Sequence, residues 1–272
     1  LCISFVSGND RYLSIKIINL FALNHMAGTD LKLIELEFTD STNNYAMQLI
    51  NDDKAHPGTT VIARSQAGGK GQRGRKWTDT PGESLLMSIV VAPKQPLTDQ
   101  FIFSASVAVA IANVLQNMTG DSAVAIKWPN DIIINDKKAG GILIENVLRG
   151  SNWTHSVIGF GLNVNQAEFP VDLPNATSLH IATGKNFDIN ALARQIGEHI
   201  LASSLFPKSP QRIMENYNEL LYRKGTMQQF EDNGEMREAK IMGVIADGAI
   251  ELRFAGATRS ECYHHGQINW VW

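Results

Sequence analysis

Two stretches hold residues whose types and spacing could do chemistry. In SQAGGKGQRGRKW (65–77), Lys70, Arg73, Arg75 and Lys76 are interleaved with Gly69, Gly71 and Gly74. Glycine lets a backbone approach a ligand closely and the cations offer charge-assisted hydrogen bonds, a combination suited to wrapping a polyanion such as a phosphate chain. In KWPNDIIINDKKAGGILIE (127–145), Pro129 interrupts an apolar run and Gly140-Gly141 opens the next. Lys127, Asp131 and Lys138 then sit around one hairpin, two cations and one carboxylate able to converge with the glycine loop on a single anionic centre. The same spacing also allows a structural Lys127–Asp131 ion pair with Lys138 left to solvent.

The elements that must position these residues decide what the glycine loop is. LKLIELEF (31–38) alternates as a half-buried strand does, DSTNNYAMQLI (40–50) reads as a cap followed by a helix, and TTVIARS (59–65) and SLLMSIVVA (84–92) read as strands on either side of the loop. A dinucleotide-binding G-x-G-x-x-G must open a helix, whereas RKWTDTPGES has no apolar period, and no Gly-Lys-Ser/Thr follows to make a P-loop. TDQFIFSASVAVAIANVLQNMTG (98–120) predicts a long buried helix with Thr98 as N-cap and Gly120 as stop. Strands are predicted at 123–128, 131–135, 140–148 and 153–164, making a mostly antiparallel sheet, followed by two amphipathic helices, the second with Pro210 in its first turn. Beyond Gly225, short strands separated by DNG and ADG turns predict a small β-barrel.

The totals limit the function classes. With 24 Lys and Arg against 27 Asp and Glu, the chain has no overall electrostatic footprint for nucleic acid or an anionic membrane, so any basic function is local. Cys2 and Cys262 lie at opposite ends without C-x-x-C spacing, which fits a reducing, cytoplasmic setting. ECYHHG brings Cys262, His264 and His265 together but is short of a zinc ligand set, and no metal ligand is assigned there. No apolar run is expected to span a bilayer, and IKIINLFAL is followed by NHMAG rather than a small-residue cleavage site. Residues 1–28 read as an extension outside the core.

Five motifs in order, DSTN (40–43), SQAGGKGQRGRKW, KWPND (127–131), KKAGGILIE (137–145) and GFGLNVN (159–165), resemble those of the biotin protein ligases, from about residue 34 to the C-terminus. The resemblance implies an α+β fold: a largely antiparallel sheet flanked by helices, a class II synthetase-like catalytic domain over 29–223, and a small all-β SH3-like C-terminal barrel over 224–272. It implies a ligase that activates biotin with ATP and Mg²⁺ to biotinyl-5′-AMP and passes biotin to a lysine of a biotin carboxyl carrier domain, as a monomer or homodimer.

Carried over by position, Ser41, Thr42, Asn43 and Gln66 would meet the ureido end of biotin, and Lys70, Gly71 and Gln72 would close over it. Gly141 would admit the backbone to biotin. Lys138 would contact the reacting carboxylate and phosphate, and Asp131 would orient the acceptor lysine, so that Lys138, Asp131 and Lys70 carry the catalysis. Trp77 would stack on adenine, with Arg73, Arg75, Lys127, Asn130 and Asn163 about the nucleotide. Blander roles exist for several: Ser41 as a helix cap, Trp77 as a core aromatic, Gly141 as a bulge.

The loop departs from the family's usual Gly-Arg-Gly-Arg-Arg-Gly-Arg: Lys70 lacks the planar guanidinium and Gln72 lacks charge, which bears on how tightly the adenylate is held. No helix-turn-helix pattern precedes the first strand, so no DNA binding is expected. The rival readings are a lipoate or octanoate ligase of the related fold, whose Arg-Arg-x-Ser-Gly-Gly-Gly signature is not found, and a nucleic-acid-binding module using the basic loop.

Overall fold

The computed structural model describes residues 31–74, 77–205 and 208–271, so the predicted extension over 1–28 lies outside the described residues. Seven strands form the larger sheet: β1 (Lys32–Leu36), β2 (Thr59–Ala63), β3 (Ser84–Val91), β4 (Val124–Lys127), β5 (Asp131–Ile134), β6 (Lys137–Arg149) and β7 (Asn152–Asn163). Their order is β1-β2-β3-β7-β6-β5-β4, with β1 parallel to β2 and every other pairing antiparallel.

The period of two along the central strands divides the sheet into a packed face and a working face. Leu85, Met87, Ile89 and Val91 of β3 and Ile158, Phe160 and Leu162 of β7 join the main core with α2 (Gln100–Thr119) and α4 (Ile189–Leu205). On the other face, Val90 and Val157 pack under Ala46 and Ile50 of α1 (Thr42–Asn51). Beside that smaller cluster, the alternate positions of β7 are Gly159 and Gly161, and Gly161 is paired with Gly141 of β6. Side chains are missing where they would fill the sheet surface, so a trough runs along it beneath the N-terminus of α1.

Several expectations are corrected. Helix α2 begins at Gln100 after a 3₁₀ turn over Leu97–Asp99, so Asp99 rather than Thr98 takes the N-cap position, without a side-chain capping bond. The segment Leu97–Thr119 is also long and apolar enough to cross a membrane by length and composition, contrary to the expectation that no run is. Its Phe103, Val107, Ile111 and Leu115 are fully buried against the sheet, as in the central helix of a globular core. Strand β6 starts at Lys137, so Gly140-Gly141 lies inside it. Pairing jumps from Ile132↔Gly140 to Ile133↔Lys138, leaving Ala139 as an extra residue, a bulge beside the glycine pair. A short helix α3 (Leu179–Thr183) was not foreseen.

The C-terminal strands β8 (Met227–Asp232), β9 (Glu235–Val244), β10 (Ile250–Phe254), β11 (Glu261–Tyr263) and β12 (Asn269–Trp270) form a second, antiparallel sheet in the order β11-β10-β9-β8-β12. It packs on the first unit through α5 (Pro210–Glu219), whose Asn218 side chain bonds both the N–H and the carbonyl of Val244. The Trp128 indole, at the end of β4, donates to the Gly248 carbonyl at 2.9 Å. These bonds bring β12 over the open end of β4 and β5.

Candidate functional site

Three compartments meet on the working face. The first is a narrow slot of about 30 Å³ over the glycine trough, walled by Ser41, Thr42, Asn43 and Gln66. Ser41 occupies the N-cap position of α1 but makes no side-chain capping bond, so its hydroxyl is not consumed by the helix. Ser88 Oγ donates to Asn43 Oδ1 at 2.6 Å and lies 2.8 Å from Thr42 Oγ1. Asn43 Nδ2 donates to Glu145 Oε2 at 2.7 Å, which fixes the amide's orientation. The slot requires its glycines: a Cβ on Gly159 would strike the Asn43 amide, and one on Gly161 would lie 2.7 Å from the Trp77 ring.

The second compartment, about 190 Å³, adjoins the slot through Lys70, Trp77, Gly141 and Leu143 and also contains Gly71, Gln72, Lys127, Asn130, Asp131 and Lys138. Lys138 Nζ pairs with Asp131 Oδ1 at 2.7 Å, both partly exposed to the cavity. This settles the alternative left open by spacing: the partner of Asp131 is Lys138, not Lys127. Lys127 is buried with its ammonium 4.9 Å from the Trp270 ring centre, a cation–π contact across to β12. Asn130 Nδ2 donates to the Ile142 carbonyl at 2.6 Å, holding the turn against β6. Lys70 Nζ donates to Asn44 Oδ1 at 2.6 Å, and Asn44 in turn donates to Asp40 Oδ2. That Asn44 bond, ahead of the Ser41 N–H, holds the Asp40 carboxyl below its usual range.

The glycine loop is anchored at its ends. Ala67 N–H and Gly68 N–H donate to the Thr39 and Asp40 carbonyls, and Trp77 N–H donates to the Gly69 carbonyl. Arg75 and the side chain of Arg73 lie outside the described residues.

The third compartment, about 380 Å³, lies on the far side of Trp77 and Lys138 and includes Asp79, Asn163, Gln166 and the loop 168–176. Lys138 N–H donates to the Asn175 carbonyl and its own carbonyl accepts from Thr177 N–H, so this loop is pinned to β6 at Lys138 itself. Asn163 is buried and donates to the Thr177 carbonyl at 3.0 Å. The indole N–H of Trp77, where the three spaces join, is buried without an acceptor.

Several walls of the site come from residues that the motifs did not single out. His265, Ile268, Asn269 and Trp270 of the C-terminal sheet line the second compartment. His265 stands edge-on to Trp128, with ring centres 5.8 Å apart, although ECYHHG carried no assignment. Asn44, Ser88 and Glu145 were also missed. Ser88 had a legible signal, a hydroxyl in the middle of the apolar strand SLLMSIVV. Asn43 is held by Ser88 and Glu145 and Lys70 by Asn44, whereas Lys127 and Asn163 hold elements together.

Residues 35–163 match the family model described as the Biotin/lipoate A/B protein ligase family. That segment, a little under half of the chain, is similar to biotin/lipoate A/B protein ligase domains. The curated relatives include the "Bifunctional ligase/repressor BirA" of Bacillus subtilis, 37% identical over 159 residues that make up 57% of this chain and 48% of that protein. The "Biotin--[acetyl-CoA-carboxylase] ligase" of Paracoccus denitrificans is 34% identical over 131 residues, 46% of this chain and 52% of the relative. The chain thus spans about half the length of the curated relatives it matches. The biotin protein ligase of Aquifex aeolicus, solved with biotin and ATP, superimposes with a TM-score of 0.69 at 24% identity, over 88% of this chain and 99% of that one. That likeness is one of fold, and it extends beyond the family-matched segment. The α+β architecture that the resemblance implied is therefore shared with a solved biotin protein ligase.

Proposed function

We propose that the chain is a biotin protein ligase that adenylates biotin with ATP and transfers it to a lysine of a carboxyl carrier domain. The observation that carries this reading is the junction itself: a neutral, hydrogen-bonding slot opens at Trp77 and Gly141 into a cavity holding Lys70, Lys127 and Lys138. An acid with an uncharged polar head and a carboxylate tail fits that polarity, head in the slot and tail among the cations. Ser41, Thr42, Asn43 and Gln66 bind the ureido head. Gly141 admits the backbone to the ligand, and Lys70, Gly71 and Gln72 close over it. At 30 Å³ the slot holds water rather than a bicyclic ring, so entry requires Trp77 and the loop to yield.

In the first step a biotin carboxylate oxygen attacks the α-phosphorus of ATP, and the bond to the β-phosphate oxygen breaks, releasing pyrophosphate. Two anions must meet, and Lys138, at the border of the second and third compartments, neutralises the charge that accumulates between them. Arg73, Arg75 and Lys127 serve the phosphates, Asn130 holds the turn beside them, and Trp77 and Asn163 border the nucleoside. When Lys138 turns to the acyl phosphate, Asp131 loses its partner and becomes the acceptor for the incoming ammonium. In the second step the ammonium gives a proton to the Asp131 carboxylate, the amine so formed attacks the acyl carbon, the bond to the phosphate oxygen breaks, AMP leaves and the second proton passes to solvent.

Among the described residues no group of three possible metal-ligating side chains exists. Among the described residues lining the second compartment, Asp131 is the one carboxylate, and it is paired with Lys138. This donor set fits Mg²⁺ carried on the triphosphate, which usually keeps most of its own waters, with at most one protein carboxylate as ligand. The ion would offset phosphate charge.

We assign 29–223 to the catalytic unit and 224–272 to an SH3-like unit that completes the second compartment. Incubation with biotin, ATP, Mg²⁺ and a purified carrier domain, followed by mass spectrometry, should show one added biotin on one lysine. An unmodified carrier beside a positive control would contradict the transfer step. Lipoate as the better donor would favour the related-ligase reading.

A further inference from the structure

Charge is unevenly divided between the two compartments that meet at Lys138. The second has three lysines, Lys70, Lys127 and Lys138, against Asp131. The third has three carboxylates, Asp79, Glu168 and Asp172, with Lys138 the single cation among its described lining residues. Phosphates favour the first environment and are repelled by the second, so a nucleotide spanning both must place its uncharged nucleoside in the third compartment. Glu168 and Asp172 are exposed and served by water, whereas Asp79 is partly buried in the wall two residues from Trp77.

Asp79 has no hydrogen bond or ion pair among the described residues, and Lys138, the described cation of the same cavity, is paired with Asp131 at 2.7 Å. Burial without compensation pushes its carboxyl above the usual aspartate range. A desolvated acceptor beside an aromatic face, in a 380 Å³ space, is suited to a flat ligand with its own N–H or O–H donors.

We infer that Asp79 is a specificity-determining residue for the nucleotide, its carboxylate accepting a hydrogen bond from a neutral donor of the nucleoside. The inference rests on the adenylating function proposed above. Two donors share this chemistry, the exocyclic amine of adenine and the ribose hydroxyls. Either would be lost on a simple change of substrate: inosine triphosphate replaces the amine with a carbonyl that the carboxylate repels, and 2′-deoxy-ATP lacks one hydroxyl. An interaction of this kind discriminates well, because the analogue leaves the buried acceptor unpaired.

The test is biotin-dependent pyrophosphate exchange with ATP, inosine triphosphate and 2′-deoxy-ATP, using the full chain and its Asp79→Asn and Asp79→Ala variants. The wild type should prefer ATP to at least one analogue, and in both variants that preference should fall about tenfold, the loss expected for one charge-assisted hydrogen bond. A fall against inosine triphosphate assigns the base amine, and a fall against 2′-deoxy-ATP assigns the sugar. A structural role alone would slow all three triphosphates equally, and Asp79→Asn preserves the side chain's shape so that the ratios remain measurable. Unchanged ratios in both variants, or a wild type indifferent to both analogues, would overturn the assignment. Absence of exchange even with ATP would overturn the adenylating function itself, which the ATP reaction of the wild type reads separately.

Discussion

The slot and the cation cavity share four wall residues yet are built on different principles. The slot is made from positions fixed by secondary structure: the first turn of α1, the inward hydroxyl of β3 and glycines on β6 and β7. Part of its polar lining is held within the fold, as in the chain from Ser88 through Asn43 to Glu145. In the cavity, two cations occupy substitute positions: Lys70 rests on Asn44 and Lys138 on Asp131. Rigid dipoles suit recognition of an unchanging neutral head. Movable charges suit the proposed reaction, in which the ligands would change from carboxylate and triphosphate to acyl phosphate and amine.

The contrast can be broken most severely from the slot side. Gly159→Ala drives a methyl group into the Asn43 amide, and we expect biotin affinity to fall about 100-fold, with a loss of about 2 kcal/mol in stability from overpacking. Titration calorimetry and denaturant unfolding would measure both, and unchanged affinity would show that the trough is not the biotin floor. Lys138→Ala should slow adenylation by about 10²-fold or more while leaving biotin affinity within about threefold, since the lysine acts on charge developed in the reaction. Equal losses in rate and affinity would place Lys138 in ground-state binding instead.

Smaller changes sharpen the comparison. Ser88→Ala removes a buried donor from Asn43 and should cost about 1–3 kcal/mol in stability, with a matching loss of biotin affinity rather than of turnover. Lys70→Arg should alter only the retention of adenylate, slowing its release several-fold through the planar fork, as stopped-flow dissociation would show. The smallest effect is expected at Asp79. Because burial raises its pKa, the ionised form destabilises the fold at neutral pH, and this cost disappears as pH falls below the ordinary aspartate value of 3.8. Asp79→Asn should therefore raise stability at pH 7 by less than about 1 kcal/mol, with no gain near pH 3.

What could be read in advance follows the same division. Strands such as LKLIELEF and the start of α1 after Ser41 are specified by local alternation and residue type, and the residues of the ordered motifs fall on the slot walls because they are close in sequence to their elements. The partner of Asp131 was not legible: Lys127 is its register partner across the β4–β5 hairpin, and the choice of Lys138 goes with the Ala139 bulge in β6 and the contact of Lys127 with Trp270, features that spacing does not show. The contribution of His265 and Trp270 was equally hidden, since it depends on how the second sheet docks through Asn218 and Trp128, contacts spanning 26 and 120 residues. The apolar character of α2 was plain, but its surroundings, not its composition, make it a core helix.

The central claim is that the neutral slot and the cation cavity act together to adenylate biotin. It is tested most directly by ATP–pyrophosphate exchange with purified protein and Mg²⁺, comparing biotin, lipoate and octanoate. Exchange that depends on biotin and is absent with the other two acids is the predicted result. Folded protein that exchanges with none of them, or that prefers lipoate, would contradict the claim.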